Sequence, residues 1–288
     1  MKSLVKVAAF ILVFSGIIVL LHSAIGFISH KDPGLLMHHG WGQLTFYLLF
    51  VLNVFLFQQY VNKESFVFLG LELYPGWLVT VLKGWIAGAI AFVFYSWLMS
   101  VFGVLEFSAS LKIGKIVVAV LVAFSAFTIA FTEEVLFRGF FLQTMLKELP
   151  KWVAVTVTGI IFIFFHDLAN IQNFWTVPRS MMLAGGLFSL NVLLCVAYLK
   201  SKTLYLPIGI HSGLVFAKIV FKQGKLMGIL QRDSYLFGLD GDARRGVLAW
   251  LLFLGGILVL NFLITEREKK GLASKKYPWN SEPLDPGR

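Results

Sequence analysis

Between Phe127 and Met145 the chain reads FTIAFTEEVLFRGFFLQTM, which sets two adjacent carboxylates, Glu133 and Glu134, and one guanidinium, Arg138, in apolar sequence. Ionised groups in hydrocarbon cost at least a few kcal/mol, so at such depth they pair, face water or do chemistry. On a helix Glu134 and Arg138 are four residues apart on one face, acid before base, which predicts an ion pair. Glu133 points about 100° away from it. One arginine leaves one carboxylate over, and Glu133 is the one free for other work.

Two hairpin counts bring distant residues toward the same place. The charged turn Lys147-Glu148-Leu149-Pro150-Lys151 contains a proline that favours a helix break. Equal steps back from Leu149 and forward from Pro150 reach Glu133 and His166. An antiparallel helix pair would therefore put carboxylate and imidazole at one depth. From Ser201, in the turn Lys200-Ser201-Lys202, equal steps reach Asn191 and His211. The two levels differ by roughly 10 Å if both turns mark the same surface, and unequal loop depth would close the gap.

A carboxylate beside an imidazole in a wet pocket suits the activation of water, because the histidine can share or relay the proton. A second imidazole and an amide could donate hydrogen bonds to the oxyanion that forms as a carbonyl is attacked. Glu133, His166 and His211 could instead be three ligands of a zinc ion with an open fourth position. No HExxH occurs, and the preferred reading has no metal and no other cofactor.

The elements that must position these groups follow from composition. Of 288 residues 58% are hydrophobic and only 14% charged, against about 25% charged in a soluble domain, and mean hydropathy is +0.81. Apolar runs at about 7–27, 44–60, 78–104, 116–146, 152–168, 181–199, 204–221 and 246–264 predict an all-α, polytopic membrane bundle of about eight transmembrane helices. The first run fits an uncleaved span better than a signal peptide. Residues 1–110 read as N-terminal helices, 111–265 as a catalytic core and 266–288 as a flexible basic tail. Residues 62–77 mix Phe and Leu with Lys63, Glu64 and Glu72 and read as interfacial. The segment 222–245 reads as a mobile connection over the site.

The motif residues resemble the CAAX protease and bacteriocin-processing (CPBP, or Abi) family, related to the Rce-type prenyl endopeptidases. The run from Glu133 to Gly139 matches its EExxxR motif, the run from Phe162 to His166 its FxxxH motif, and His211 the histidine of its later motif. The likeness covers about residues 116–221. It implies an intramembrane endopeptidase with Glu133 and His166 activating water, Glu134 and Arg138 as an ordering ion pair, and His211 in the oxyanion site. The family often has Asn or Asp four residues after that last histidine, where this chain has Val215. Asn191 or the Ser212 hydroxyl is expected to supply the missing hydrogen bond. A non-catalytic scaffold of the same fold and a proton-coupled transporter are the competing readings, since intramembrane Glu and His also build proton relays.

The net charge of +10 does not indicate nucleic acid, because the basic residues stand at segment ends and tails instead of in one patch. The expected partners are the bilayer and a membrane-anchored protein or peptide substrate. Lysines at both tails predict cytosolic termini in a bacterial inner or plasma membrane. His30, His38 and His39 with Asp32 read as an interfacial cluster, and Lys83 and Lys218 as snorkelling side chains. The single cysteine, Cys195, permits no intrachain disulfide.

Overall fold

Where water is absent, a chain pairs its backbone N–H and C=O groups within each segment, so long apolar runs become helices. A computed structural model describes residues 2–29, 40–108, 115–167, 178–224, 226–230, 234–239 and 242–263. The helices are α1 (Lys2–Ser29), α2 (Gly40–Leu56), α3 (Trp77–Val101), α4 (Lys115–Glu134), α5 (Lys151–Asp167), α6 (Pro178–Ser201), α7 (Tyr205–Gln223) and α8 (Val247–Leu263). They fall where the eight apolar runs predict them. Four helical stretches, Lys2–Leu21, Trp77–Val101, Val118–Leu146 and Pro178–Ser201, are long and apolar enough to cross a membrane, and α2, α5 and α8 contain shorter apolar helices. The protein is an integral helical membrane bundle.

Two helices widen along their length. α2 continues as a π-helix over Phe57–Val61, and α4 as a π-helix over Val135–Leu142 before a last α turn, Gln143–Leu146. Phe10 of α1 lies between the widened segments, 5.2 Å from the Phe57 ring and 5.0 Å from that of Phe140. Every residue of Val135–Leu142 is buried.

α7 is held against α3 by glycines on both helices. A Cβ on Gly88 would fall on the carbonyl of Ile210, and one on Gly213 on that of Trp85. Gly84 and Gly209 meet in the same way one turn along, where a Cβ on either would lie about 3 Å from the other's Cα. The four-residue glycine spacing on each helix lets the backbones touch, as is common between membrane helices. His211 stands between Gly209 and Gly213, so this seam fixes its height and direction.

One end of the bundle, the near end, gathers the Lys147–Lys151 turn and both described chain ends. The Ser3 N–H donates to Glu148 (3.0 Å), Lys147 pairs with Glu64 (2.6 Å), Lys6 reaches Asn62 (3.0 Å) and Lys200 the Asn261 carbonyl (3.5 Å). The segment read as interfacial is partly buried here. Its 3-10 turn Phe66–Leu69 exposes Val67 and Phe68, while Leu69 is fully buried. Gly70, at φ +101°, accepts the Leu204 N–H at 2.9 Å through its carbonyl. Leu69 and Leu204 both lie against Gly139. The α6–α7 turn therefore sits level with Gly139, about 10 Å inside the end of the α4 column. That depth removes the offset between the two hairpin counts.

The opposite, far end differs from the all-helical expectation. β1 (Leu105–Phe107) and β2 (Met227–Ile229) pair antiparallel, with Leu105 opposite Ile229. Tyr95 donates to the Phe237 carbonyl, Val247 N–H to Tyr235 and Trp250 Nε1–H to the Arg244 carbonyl at 3.0 Å. The described parts of 222–245 are thus tied into the bundle and are not the loose cover that the sequence suggested. His30, His38, His39, Asp32 and the tail at 266–288 lie outside the described residues.

Candidate active site

A continuous polar chain crosses the centre of the bundle. Arg138 donates through Nη1 to Glu134 Oε1 (3.0 Å) and through Nη2 to Asn191 Oδ1 (3.2 Å). The same Glu134 oxygen accepts from His211 Nδ1 at 2.8 Å. Asn191 donates its amide hydrogen to the Val155 carbonyl at 3.2 Å and accepts the Cys195 thiol. Arg138 also lies over the Phe162 ring, 5.0 Å from its centroid. Buried charges are tolerated when paired and hydrogen-bonded, and this chain links α4, α6 and α7 through one guanidinium. The π segment that begins at Val135 carries Arg138 and Gly139, so the widened helix supports both the arginine and the α6–α7 turn.

Glu133 takes the opposite direction. Its Oε2 lies 3.3 Å from His166 Nε2 and 3.9 Å from His211 Nε2. Tyr47 of α2 is within electrostatic reach of the same carboxylate. The side chains of Glu133 and His166 are 20% and 21% exposed, whereas Glu134 and Arg138 are at 0%. The first pair is partly exposed and the second is not, although Glu133 Oε2 itself is buried and has no hydrogen-bond partner.

The partners of the other ring nitrogens fix the tautomers. His166 Nδ1 lies 2.9 Å from the Phe162 carbonyl oxygen, which can only accept, so Nδ1 carries a proton. His211 Nδ1 faces a carboxylate and is a donor for the same reason. In the neutral rings both Nε2 atoms are lone pairs aimed at Glu133. A carboxylate oxygen and two nitrogen lone pairs can share only protons that something else brings, and a water molecule brings two. Among the described residues no three His, Cys, Asp or Glu side chains are grouped to hold a metal ion.

The predicted residues fall into three groups. Glu133, His166 and His211 converge, and Glu134 with Arg138 forms the expected i, i+4 pair. Asn191 does not face His211; the two are joined through Arg138 and Glu134, because the arginine is long enough to pass between the helices. Ser212 is buried and its hydroxyl donates to Gly209 in its own helix at 3.0 Å. Both groups of the Asn191 amide are occupied, and Val215 is half-buried on α7. The carbonyls of Phe162 and Val155, which set the imidazole and amide orientations, carry no sequence signature, and Tyr47 belongs to none of the motifs.

In a comparison with known families, residues 115–217 fit the family model described as type II CAAX prenyl endopeptidase, Rce1-like. The matched span begins with α4 and ends within α7, so it contains every residue of the polar chain together with Glu133, His166 and His211, but not Tyr47. No curated protein and no solved structure matches the chain.

Proposed function

Residues 115–217 belong to the CPBP and CAAX protease family, and on that premise we propose an intramembrane endopeptidase that cuts a membrane-anchored substrate with a water held by Glu133 and His166. The observation that supports this most is the convergence of two imidazole Nε2 atoms on one carboxylate oxygen, at 3.3 and 3.9 Å. A water bound beside this pair would give one hydrogen to Glu133 Oε2, which is buried and otherwise without a hydrogen-bond partner, and one to His166 Nε2. Its own lone pairs then face the substrate carbonyl.

As the water oxygen bonds to the carbonyl carbon, one proton passes to Glu133 and negative charge develops on the carbonyl oxygen. Collapse of that intermediate breaks the C–N bond, and the proton from Glu133, relayed by His166, goes to the leaving amine. His211 Nδ1–H donates to Glu134, and a second proton taken up at Nε2 during the reaction would let that nitrogen donate to the oxyanion. Glu134 and Arg138 act at one remove by holding His211 in that direction.

A prenylated or otherwise lipid-modified substrate is the reading that the family description supports. An apolar groove of about 370 Å³ runs between α3, α4 and α7 and is lined in part by Phe131 and Ile208. Those two residues lie one helical turn from Glu134 and His211, so a lipid tail in the groove would sit next to the polar chain.

The test is cleavage of lipid-anchored peptides by the purified, vesicle-reconstituted protein. Glu133→Gln is expected to lower the rate by about 10²- to 10⁴-fold, the usual contribution of a general base. A chelator is expected to leave the rate unchanged. Loss of activity on chelation, restored by zinc, would make Glu133, His166 and His211 ligands instead. Unchanged cleavage by Glu133→Gln would remove the glutamate from the chemistry.

A further inference from the structure

A carbonyl attacked by water needs a hydrogen-bond donor for its oxygen, and the motif residues supply none that carries its own hydrogen. His211 Nε2 is a lone pair until it takes up a second proton. Val215 has no polar group, the Asn191 amide is bonded on both sides, and the Ser212 hydroxyl donates to Gly209 in its own helix. The group that meets the need stands outside the motifs, on α2.

Aromatic rings of three helices form one layer beside the site. The Phe165 ring of α5 lies 6.1 Å from that of Phe50 on α2 and 5.6 Å from that of Phe137 on α4. α2 and α4 run toward the near end and α5 away from it, so the same direction leads from each ring to a polar group. Tyr47 comes three residues before Phe50, Glu133 four before Phe137, and His166 directly after Phe165. Residues three or four apart share a helix face, which sets Tyr47 and Glu133 above their own phenylalanines. At ~1.5 Å per residue the three polar groups stand roughly 4.5, 6 and 1.5 Å to the far side of the layer. Tyr47 is thereby brought to the level of the reacting pair, and it is within electrostatic reach of Glu133.

Packing alone would be met by phenylalanine, as at Phe46 and Phe50 on the same helix, so the Tyr47 hydroxyl requires a reason of its own. The residue is half-buried, and among the described residues its hydroxyl takes part in no hydrogen bond. A phenol that leaves water normally finds an acceptor. Glu133 Oε2 is likewise buried and without a partner. A donor and an acceptor left unmet on one side of the same aromatic layer suit a water and a carbonyl arriving together, the water at the carboxylate and the carbonyl oxygen at the phenol.

We propose that Tyr47 is a catalytic residue whose hydroxyl donates a hydrogen bond to the substrate's carbonyl oxygen as negative charge develops there. While the water oxygen bonds to the carbon, the C=O π pair moves onto the oxygen that Tyr47 holds. On collapse the pair returns and the C–N bond breaks. Tyr47 keeps its proton throughout, and the leaving amine receives the one held by Glu133. This inference rests on the endopeptidase reading above and adds to it the group that binds the oxyanion.

The experiment uses the purified full-length protein in phosphatidylcholine vesicles with lipid-anchored peptides. Tyr47→Phe removes a single oxygen and is expected to lower kcat by about 10²- to 10³-fold, the usual effect of losing one oxyanion donor, with KM and the thermal midpoint little changed. A phosphonate peptide, which carries an anionic oxygen in the oxyanion position, is expected to bind the variant more weakly by a similar factor, while the acid limb of the kcat/KM pH profile stays in place. Replacing Tyr47 by 3-fluorotyrosine keeps the ring and strengthens the donor, so cleavage is expected to be at least as fast as in the wild type, and this variant carries the test if Tyr47→Phe does not fold. Wild-type rates for Tyr47→Phe overturn the proposal, as does slower cleavage with 3-fluorotyrosine. A slow Tyr47→Phe with a shifted acid limb and intact phosphonate affinity also overturns it, because Tyr47 would then be a positioning group for Glu133. If Glu133→Gln is slow and Tyr47→Phe is not, the endopeptidase reading stands and Tyr47 alone is removed. A wild type that cleaves no peptide overturns that reading and Tyr47's role with it.

Discussion

Arg138 is placed to serve two neighbours at once, and the consequence at the residue scale is that Asn191 is a positioning group. Its Oδ1 holds Arg138 and its Nδ2 holds the Val155 carbonyl. Asn191→Leu strips both bonds in a fully buried setting, where an unmet polar group costs about 1–3 kcal/mol. The thermal midpoint of the purified protein is expected to fall by several degrees on Asn191→Leu and by much less on Ser212→Ala, whose hydroxyl only bonds its own helix. An equal effect of the two substitutions would contradict the chain from Asn191 to His211. The Glu134–Arg138 pair is legible in the sequence because four-residue spacing on a helix leaves it little freedom. The Glu133–His166 meeting is legible through the proline turn, which makes the residue count a ruler. The bond from His211 to Glu134 is not, since equal counting from Ser201 pairs His211 with Asn191 and takes no account of a long side chain reaching between them.

At the scale of the element, the glycine seam between α3 and α7 does for His211 what Arg138 does for Glu134. Gly88→Ala or Gly213→Ala would drive a methyl into a carbonyl of the facing helix, and the helices must part by a few tenths of an ångström or more. Overpacking of this kind costs about 1–3 kcal/mol. Because the shift displaces the helix that carries His211 relative to Glu134, 2.8 Å away, cleavage is expected to fall further than stability alone explains. Gly255→Ala, where a Cβ meets nothing within 4 Å, should be silent in both melting and rate measurements. The far-end turn offers a second check. Burial opposes ionisation of Asp242, but the bonds from Arg244 overcome it and hold the carboxyl down, to about 2. A lowered folded value means that the stabilisation is present above the ordinary carboxylate range near 3.8 and is lost as pH falls through about 2. Amide exchange at Arg244 should accelerate in that window, and Asp242→Asn should show the faster rate at neutral pH. The helices themselves are written plainly in eight apolar runs. The π-helix over Val135–Leu142 is not, because shifting a hydrogen bond by one residue leaves composition and apolar pattern unchanged. β1 and β2 are equally hidden, being three residues each and joined only by the fold.

For the whole molecule, the open question of orientation is one that the packing reduces to a single choice. Ser3, Glu64, Glu148, Lys200 and Asn261 share the near end, and Glu106, Gly228 and Phe237 share the far end with Lys218 and Lys222. Once one of these positions is assigned to a side of the membrane, all the others follow. Basic residues occur at both ends, so charge counting separates them poorly, yet Lys2, Lys6 and the Lys-rich 266–288 tail favour a cytosolic near end. The native protein is already suited to the measurement: its one cysteine, Cys195, is buried, with its thiol on Asn191. Single cysteines at Lys63 or Lys202 are expected to resist a membrane-impermeant maleimide in intact cells and to react after lysis. Cysteines at Glu106 or Leu236 are expected to react in intact cells. The reverse pattern would place both termini outside and give the cytosol access to Lys218 and Lys222. The orientation therefore also decides from which compartment the region beyond His211 on α7 is reached, which no residue of the site reveals by itself.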